Sequence, residues 1–175
     1  MKRFRFISLV IAVVLISSCN NSISQKEKTT YFDIPKFIQT EANRLQQLNP
    51  LVTKTVSNEK STEIKQLKIS NWQKELSQFS NIDVNKSGNI EFIKKRLGDT
   101  LIFETPYNSK NLVSIKVIFK KNIPIALNIY RESKNLLYVN KETLNYSTGK
   151  TYSIDKTQHV KGIGKNRYFI KGEIH

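Results

Sequence analysis

The feature that most restricts the fold of this chain is the alternation of apolar and polar residues in its C-terminal half. Apolar residues take every second position from Val113 to Phe119 and again from Ile123 to Ile129, and the turn-forming pair Lys121-Asn122 separates the two runs. Such alternation is typical of antiparallel strands that bury one face and expose the other. The two runs therefore predict a β-hairpin.

Further strand patterns precede and follow this hairpin at short intervals. The predicted strands are 51–57, 61–69, 136–139, 143–146, 151–154, 158–161 and 167–174. Turn-forming residues separate the later ones at 133–135, 147–149 and 162–166. Regular short strands with hairpin-sized connections predict a mostly antiparallel meander.

A helix is predicted ahead of these strands. Asp33 is a favourable N-cap, Pro35 suits the first helical turn, and apolar residues recur at helical spacing as far as Leu48. The pair Asn49-Pro50 ends the pattern, because the residue before a proline disfavours helical geometry.

A second helical pattern begins after Ser70-Asn71, where Trp72, Leu76 and Phe79 share one face. We expect both helices to cover the apolar face of the sheet. The predicted fold class is therefore α+β, with two N-terminal helices packed on a curved, mostly antiparallel β-meander.

The N-terminus carries a separate pattern. Lys2, Arg3 and Arg5 precede an almost wholly apolar run from Ile7 to Ile16. This run is well short of the ~20 residues that span a bilayer. A positive segment followed by an apolar run of this length is typical of a secretory signal peptide.

Cys19, the only cysteine, follows this run. The segment Leu15-Ile16-Ser17-Ser18-Cys19 resembles the lipobox of bacterial lipoproteins. The resemblance implies that the Cys19 thiol receives a diacylglycerol thioether, that a peptidase cuts before it, and that the new N-terminus is acylated. Several acyl chains together anchor a protein durably. We therefore expect a signal peptide over 1–18, a lipidated tether over 19–30 and one α+β domain over 31–175.

The charge of the chain favours an anionic partner. The formal net charge of +15 falls to +12 when Lys2, Arg3 and Arg5 leave with residues 1–18. The basic residues are mostly dispersed lysines, without the arginine cluster or aromatic pair typical of nucleic-acid-binding modules. We expect no nucleic-acid partner. We expect instead a membrane contact through the lipid, and a partner that is an envelope protein or an anionic surface polymer.

One segment resembles the calcium loop of EF-hand proteins, yet we predict no metal site there. Its oxygen-bearing residues are Asp83, Asn85, Ser87, Asn89 and Glu91. An EF-hand loop ends in a bidentate glutamate at position 12, but Lys94 stands there in this chain. We interpret the segment as a polar turn between a helix and a strand.

The sequence predicts neither a catalytic site nor a cofactor. His159 falls in a strand pattern and His175 is the last residue. The nearest carboxylate before His159, that of Asp155, would lie ~13 Å away along a strand. The segment Gly162-Ile163-Gly164-Lys165 lacks the spacing of a phosphate-binding loop and is interpreted as a hairpin turn. We therefore expect a protein that is not an enzyme.

Two further patterns have plain structural interpretations. Asp99-Thr100-Leu101 matches a short O-glycosylation pattern of some Bacteroidetes-type envelope proteins, but Gly98-Asp99 is interpreted as a turn before a strand. Tyrosines recur through the strand region. They could line a groove for a ligand, but we prefer to interpret them as cross-strand packing residues. They are Tyr130, Tyr138, Tyr146, Tyr152 and Tyr168.

Three segments carry a family resemblance. Tyr31-Phe32-Asp33 with the helix after it, Asn49 to Val56, and Asn71 to Leu76 resemble a group of small uncharacterised lipoproteins of Bacteroidetes-type bacteria. The resemblance implies a location in the cell envelope and no known activity. Asn20 follows the cysteine, which the enteric sorting rule associates with the outer membrane, so we expect that location.

The function expected from the sequence is that of a non-catalytic, lipid-anchored cell-envelope protein that binds a protein or a surface partner. The alternative is a carrier or sensor of a lipophilic ligand, because a sheet around helices resembles the LolA/LolB lipoprotein carriers. A carrier requires an apolar cavity. A binding protein requires an exposed apolar or basic patch.

Overall fold

Nine antiparallel strands form one sheet in the computed structural model, which describes residues 32–82, 84 and 92–175. The strands are β1 (Leu51–Asn58), β2 (Thr62–Lys68), β3 (Ile93–Leu97), β4 (Thr100–Glu104), β5 (Asn111–Lys120), β6 (Ile123–Lys134), β7 (Tyr138–Ser147), β8 (Thr151–Val160) and β9 (Gly164–Ile174). Strands β3 to β9 follow one another as a meander, and the β1–β2 hairpin joins the sheet because β1 pairs with β9.

The fold class predicted from the sequence is wrong. The structure is dominated by this single sheet. Within the described residues, the helices are one of fifteen residues, α1 (Ile34–Leu48), and two of four residues, α2 (Trp72–Glu75) and α3 (Ser77–Ser80). It is not a pair of long helices packed on a meander.

The predicted second helix is interrupted because its serines bond to the backbone. The Ser77 hydroxyl donates to the Lys74 carbonyl at 2.8 Å, and the Ser80 hydroxyl donates to the Ser77 carbonyl at 2.9 Å. Such side-chain bonds compete with the regular helical ladder. The expected apolar face survives the interruption, since Trp72, Leu76 and Phe79 are all fully buried.

The predicted short strands also merge into longer ones. The patterns at 136–139 and 143–146 both overlap one ten-residue strand, β7, and those at 151–154 and 158–161 both overlap another, β8. Glu142 and Lys156 occupy the same face as Leu144 and Ile154, two positions nearer the β6–β7 and β8–β9 turns. Charged residues therefore interrupt the apolar pattern while the strand itself continues.

Helix α1 begins and ends where the sequence predicts. The Asp33 carboxylate accepts a hydrogen bond from the Lys36 N–H at 2.9 Å, which is the expected N-cap interaction. Asn49 ends the helix with a φ of 45°, the left-handed conformation that commonly closes helices.

The core lies between the helices and one face of the sheet, which we call the inner face. Its largest fully buried side chains are Ile34, Ile38, Leu45, Trp72, Leu76, Phe79, Phe103, Ile115, Leu127, Ile129, Tyr146 and Tyr152. On the inner face, Val117, Leu127, Tyr146 and Tyr152 pair across β5 to β8 as one row.

The sheet has two different ends. At the helix end, the Phe32 ring beside α1 lies 5.9 Å from the Phe119 ring near the β5–β6 turn. At the hairpin end, three connections of the meander lie side by side, and we define this end by residues 105–110, 134–138 and 161–165. Strands of ten residues separate the two ends by about 33 Å. Among the described residues, the helices are all too short or too polar to cross a membrane.

Candidate functional site

Two of the sites considered in the sequence lie outside the described residues. One is the lipid-attachment residue Cys19. The other is the EF-hand-like loop with Asp83, Asn85, Ser87, Asn89 and Glu91. Both interpretations therefore stay predictions. Within the described ranges, His, Asp and Glu side chains do not form a group of three that could hold a metal ion.

The two histidines lie at opposite ends of the sheet. His159 is exposed near the hairpin end, where its partner on β9 is Lys165. His175 lies at the helix end, with its Nε2 2.9 Å from the Thr53 hydroxyl. The Asp155 carboxylate is bound by Arg167 through two bonds of 3.0 and 2.6 Å. The structure therefore does not bring the histidines together.

The two interpretations as turns are confirmed. Gly162 and Gly164 have φ values of 82° and 120°, and Ile163 N–H donates to the Val160 carbonyl at 3.1 Å in the β8–β9 turn. Gly98, with a φ of 56°, lies in the turn between β3 and β4. Positive φ favours glycine at such positions.

Tyr146 attaches helix α1 to the inner face of the sheet. Its hydroxyl donates to the buried Glu41 carboxylate at 2.7 Å, and Arg44 holds the same carboxylate with bonds of 3.0 and 2.8 Å. Burial, followed by the bond to Glu41, raises the pKa of Tyr146 well above its ordinary value. Glu41 is therefore fully occupied in holding the helix on the sheet.

Tyr152 attaches the short helix α2 in the same way. Its hydroxyl donates to Glu75 at 2.6 Å, and Lys54 Nζ lies 2.6 Å from the same carboxylate oxygen. Burial, and then this hydrogen bond, raises the pKa of Tyr152. A Cβ at Gly172 would overlap the Tyr152 ring, so the glycine makes room for this attachment.

The remaining tyrosines lie outside the core. The Tyr130 hydroxyl donates to Glu132, and this bond raises the pKa of Tyr130 to about 12 and lowers the pKa of Glu132. Tyr138 and Tyr168 are partly exposed. The interpretation of the tyrosines as packing residues is thus confirmed for Tyr146 and Tyr152.

Charged residues follow the apolar rows of the inner face towards the hairpin end. Arg131, Glu142 and Lys156 pair across β6, β7 and β8. Glu142 is only 5% exposed, and both Arg131 and Lys156 form ion pairs with it, the latter at 2.7 Å. An open cleft of about 780 Å³ lies against this row. The carboxylate is neutralised within the protein, which is the usual requirement for a buried charge.

The β6–β7 turn holds two leucines in solvent. The Asn135 side-chain carbonyl accepts hydrogen bonds from the N–H groups of Leu137 and Tyr138, each at 2.8 Å. This side chain closes a tight turn, so that Leu136 is 93% exposed and Leu137 70% exposed. Their exposure is therefore a consequence of defined turn geometry.

Two neighbouring turns present apolar residues in the same way. Ile163 is 85% exposed at the β8–β9 turn, and Tyr107 is 97% exposed in the β4–β5 loop, where Ser109 N–H donates to the Pro106 carbonyl at 2.9 Å. Lys161 N–H donates to the Leu137 carbonyl at 2.9 Å. This bond joins the β6–β7 and β8–β9 turns directly, so the exposed residues share one end of the sheet.

The hairpin end is also strongly basic. Its three segments contain four lysines and no carboxylate: Lys110, Lys134, Lys161 and Lys165. Within the described residues, none of the four forms an ion pair. Glu59 of the β1–β2 turn lies beside this end, where it lines a cleft together with Lys165 and Arg167.

Sequence reasoning placed Leu136 in a strand and missed this surface. The signal for it is Leu136-Leu137, an adjacent apolar pair that breaks the period of two directly after the turn-forming residue Asn135. The charged row was missed because Glu142 and Lys156 fall between the short strands that the sequence predicts.

Other exposed apolar residues are distributed over several elements. They are Leu48, Leu51, Ile64, Ile93, Leu97, Ile123, Tyr138 and Tyr168, on α1, β1, β2, β3, β6, β7 and β9. Single exposed apolar residues are ordinary on protein surfaces, whereas a group at one place indicates an interaction site.

Comparison with protein-family models, with curated proteins and with solved structures finds no match to this chain.

Proposed function

We propose that this protein is a non-catalytic, lipid-anchored protein of the bacterial cell envelope, and that its hairpin end binds a surface partner. The observation that carries the proposal is the group of exposed apolar residues, Tyr107, Leu136, Leu137 and Ile163, on adjoining turns. Four lysines that form no ion pair within the described residues surround the group. A soluble protein gains nothing in folding from such residues, because water contacts them in the folded and unfolded chain alike.

The buried polar groups support a binding role over a catalytic one. The carboxylates of Glu41, Glu75 and Glu142 are each held by a tyrosine, by cations or by both. An acid or base in catalysis must be free to exchange a proton with a substrate. These three carboxylates serve instead to join helices to the sheet or strands to one another.

The same inner face makes a carrier of lipophilic ligands the weaker proposal. The helices and the side chains of Trp72, Phe79, Tyr146 and Tyr152 fill the space over the apolar rows. The open cleft of about 780 Å³ lies against Arg131, Glu142 and Lys156. A lipid chain needs a predominantly apolar lining, whereas these charged side chains share the lining of this cleft with apolar ones such as Ile82, Phe92 and Leu112.

The proposal is tested in intact cells that produce the full chain. A photoreactive phenylalanine analogue would replace Leu136, and in a matched control it would replace Ile123, which is exposed at the helix end. We expect irradiation to give a defined adduct from position 136, in the membrane fraction, and none from position 123. The same chain carrying Cys19→Ser should leave the membrane fraction, because its acyl chains would be missing.

Two outcomes would contradict the proposal. Equal adduct yields from positions 136 and 123 would show that the hairpin end has no special contact. A Cys19→Ser chain that stays membrane-bound, and is processed like the parent, would remove the lipid anchor from the proposal.

A further inference from the structure

The hairpin end has the shape and charge of a bilayer-inserting surface. We infer that its partner is an anionic lipid bilayer, into whose interface Leu136, Leu137 and Ile163 insert while the surrounding lysines contact the head groups. The inference rests on the proposed function, since it names the partner of the same surface.

The apolar residues project from the protein as separate points. Leu136 and Ile163 stand at the corners of two tight turns that one backbone hydrogen bond joins. A protein partner with a stable interface requires a closely packed central patch. Separate projecting side chains leave gaps against a rigid surface, whereas fluid acyl chains fill them. The shape of the hairpin end therefore fits a bilayer better than a folded partner.

The charge of the hairpin end points to anionic lipid. Lys110, Lys134, Lys161 and Lys165 lie within a few residues of the projecting side chains, and the same segments contain no carboxylate. Lysine side chains beside inserted apolar residues can extend to the phosphate level of the membrane. A neutral bilayer would leave these charges uncompensated, so binding should require anionic head groups.

The expected anchor does not prevent this contact. Phe32 lies at the helix end, about 33 Å from the hairpin end along the strands. The thirteen residues from Cys19 to Tyr31 can span at most about 47 Å. The chain is therefore long enough for the lipid on Cys19 and the hairpin end to meet the same bilayer.

Vesicle binding tests the inference without the lipid anchor. The protein would be residues 20–175, which include every core residue that the structure describes, with thermal melting to verify folding. We expect it to sediment with vesicles of equal parts phosphatidylethanolamine and phosphatidylglycerol, and to stay in solution with phosphatidylcholine vesicles. Leu136→Asp and Ile163→Asp should each lower vesicle affinity at least about tenfold, because a charged side chain replaces an inserted apolar one.

Two further variants separate insertion from charge. Lys161→Gln should lower affinity for the anionic vesicles about fivefold, as expected for one lysine at a membrane surface. Ile123→Asp, the matched control at the helix end, should bind like the parent. In Leu136→Trp, tryptophan emission should shift to the blue on anionic vesicles, against the constant signal of the buried Trp72.

The results distinguish this inference from the proposed function. Adducts from position 136 to a protein in cells, without vesicle binding, would overturn the inference that the partner is a bilayer. The proposed function of the hairpin end as a binding surface would still stand. Equal binding to phosphatidylcholine, or equal losses for Ile123→Asp and Leu136→Asp, would also overturn the inference. Adducts to lipid together with selective vesicle binding would support both.

Discussion

The helix end and the hairpin end of the sheet are built from the same strands but differ in where their apolar residues lie. In β7, Leu144 and Tyr146 lie under the helices and are fully buried, whereas Glu142 and Tyr138, on the same face, line the open cleft. The apolar residues at the hairpin end lie in its turns instead, exposed to solvent.

This difference shows that the helices packed on a strand determine which side chains its inner face can contain. Where α1 to α3 cover the inner face, alternation supplies apolar residues that hold the fold together. Beyond the helices, the same alternation supplies Arg131, Glu142 and Lys156, which hold the strands by ion pairs. Exposed leucines beyond that row contribute nothing to stability, so they require a functional reason.

The largest expected effect compares the same substitution in the two regions. Leu127→Ala should lower the free energy of unfolding by about 2–5 kcal/mol, because Leu127 is fully buried and its loss leaves a cavity. Leu136→Ala should change it by less than about 0.5 kcal/mol, because the side chain is in solvent. Urea unfolding of both variants measures the difference. Comparable losses would show that the hairpin end is packed and would remove the contrast.

A smaller effect should mark the boundary between the two regions. Glu142→Gln leaves Arg131 and Lys156 without their shared carboxylate while conserving its shape. We expect a loss of about 1–3 kcal/mol in urea unfolding, less than for a fully buried ion pair because both cations are partly exposed.

The control for this boundary is Glu173→Gln, which removes an exposed ion pair with Lys171 and should leave the unfolding midpoint unchanged. If Glu142→Gln left the unfolding midpoint as unchanged as Glu173→Gln does, the charged row would not stabilise the sheet. A role for its residues in binding at the cleft would then have to be considered.

The sequence was sufficient for the elements whose signals are local. Asp33, Asn49 and the pair Lys121-Asn122 each determine a helix end or a turn within their own few residues, and all three positions are confirmed. The arrangement of the sheet could not be predicted, because the pairing of β1 with β9 joins residues more than a hundred positions apart. No local pattern encodes that pairing.

The candidate surface was missed for a related reason. Leu136 and Ile163 are close only because β7 and β8 pair and Lys161 bonds to Leu137. Each turn by itself looks ordinary in the sequence. The charges of Lys134 and Lys161 likewise become a patch only after the meander places them at one end.

The smallest expected effect concerns how the helices are attached to the covered region at alkaline pH. Tyr146 and Tyr152 have a raised pKa in the folded chain, whereas in the unfolded chain they lose a proton at about pH 10. Their contribution to stability is therefore fully present below about pH 10, and each loses about 1.4 kcal/mol per pH unit above it. Urea unfolding at several pH values above about pH 10 should therefore show a shallower decline of stability with pH for Tyr146→Phe than for the parent. Tyr107→Phe, altered at an exposed residue of the hairpin end, should decline like the parent, and an equally shallow decline there would contradict the distinction between the two ends.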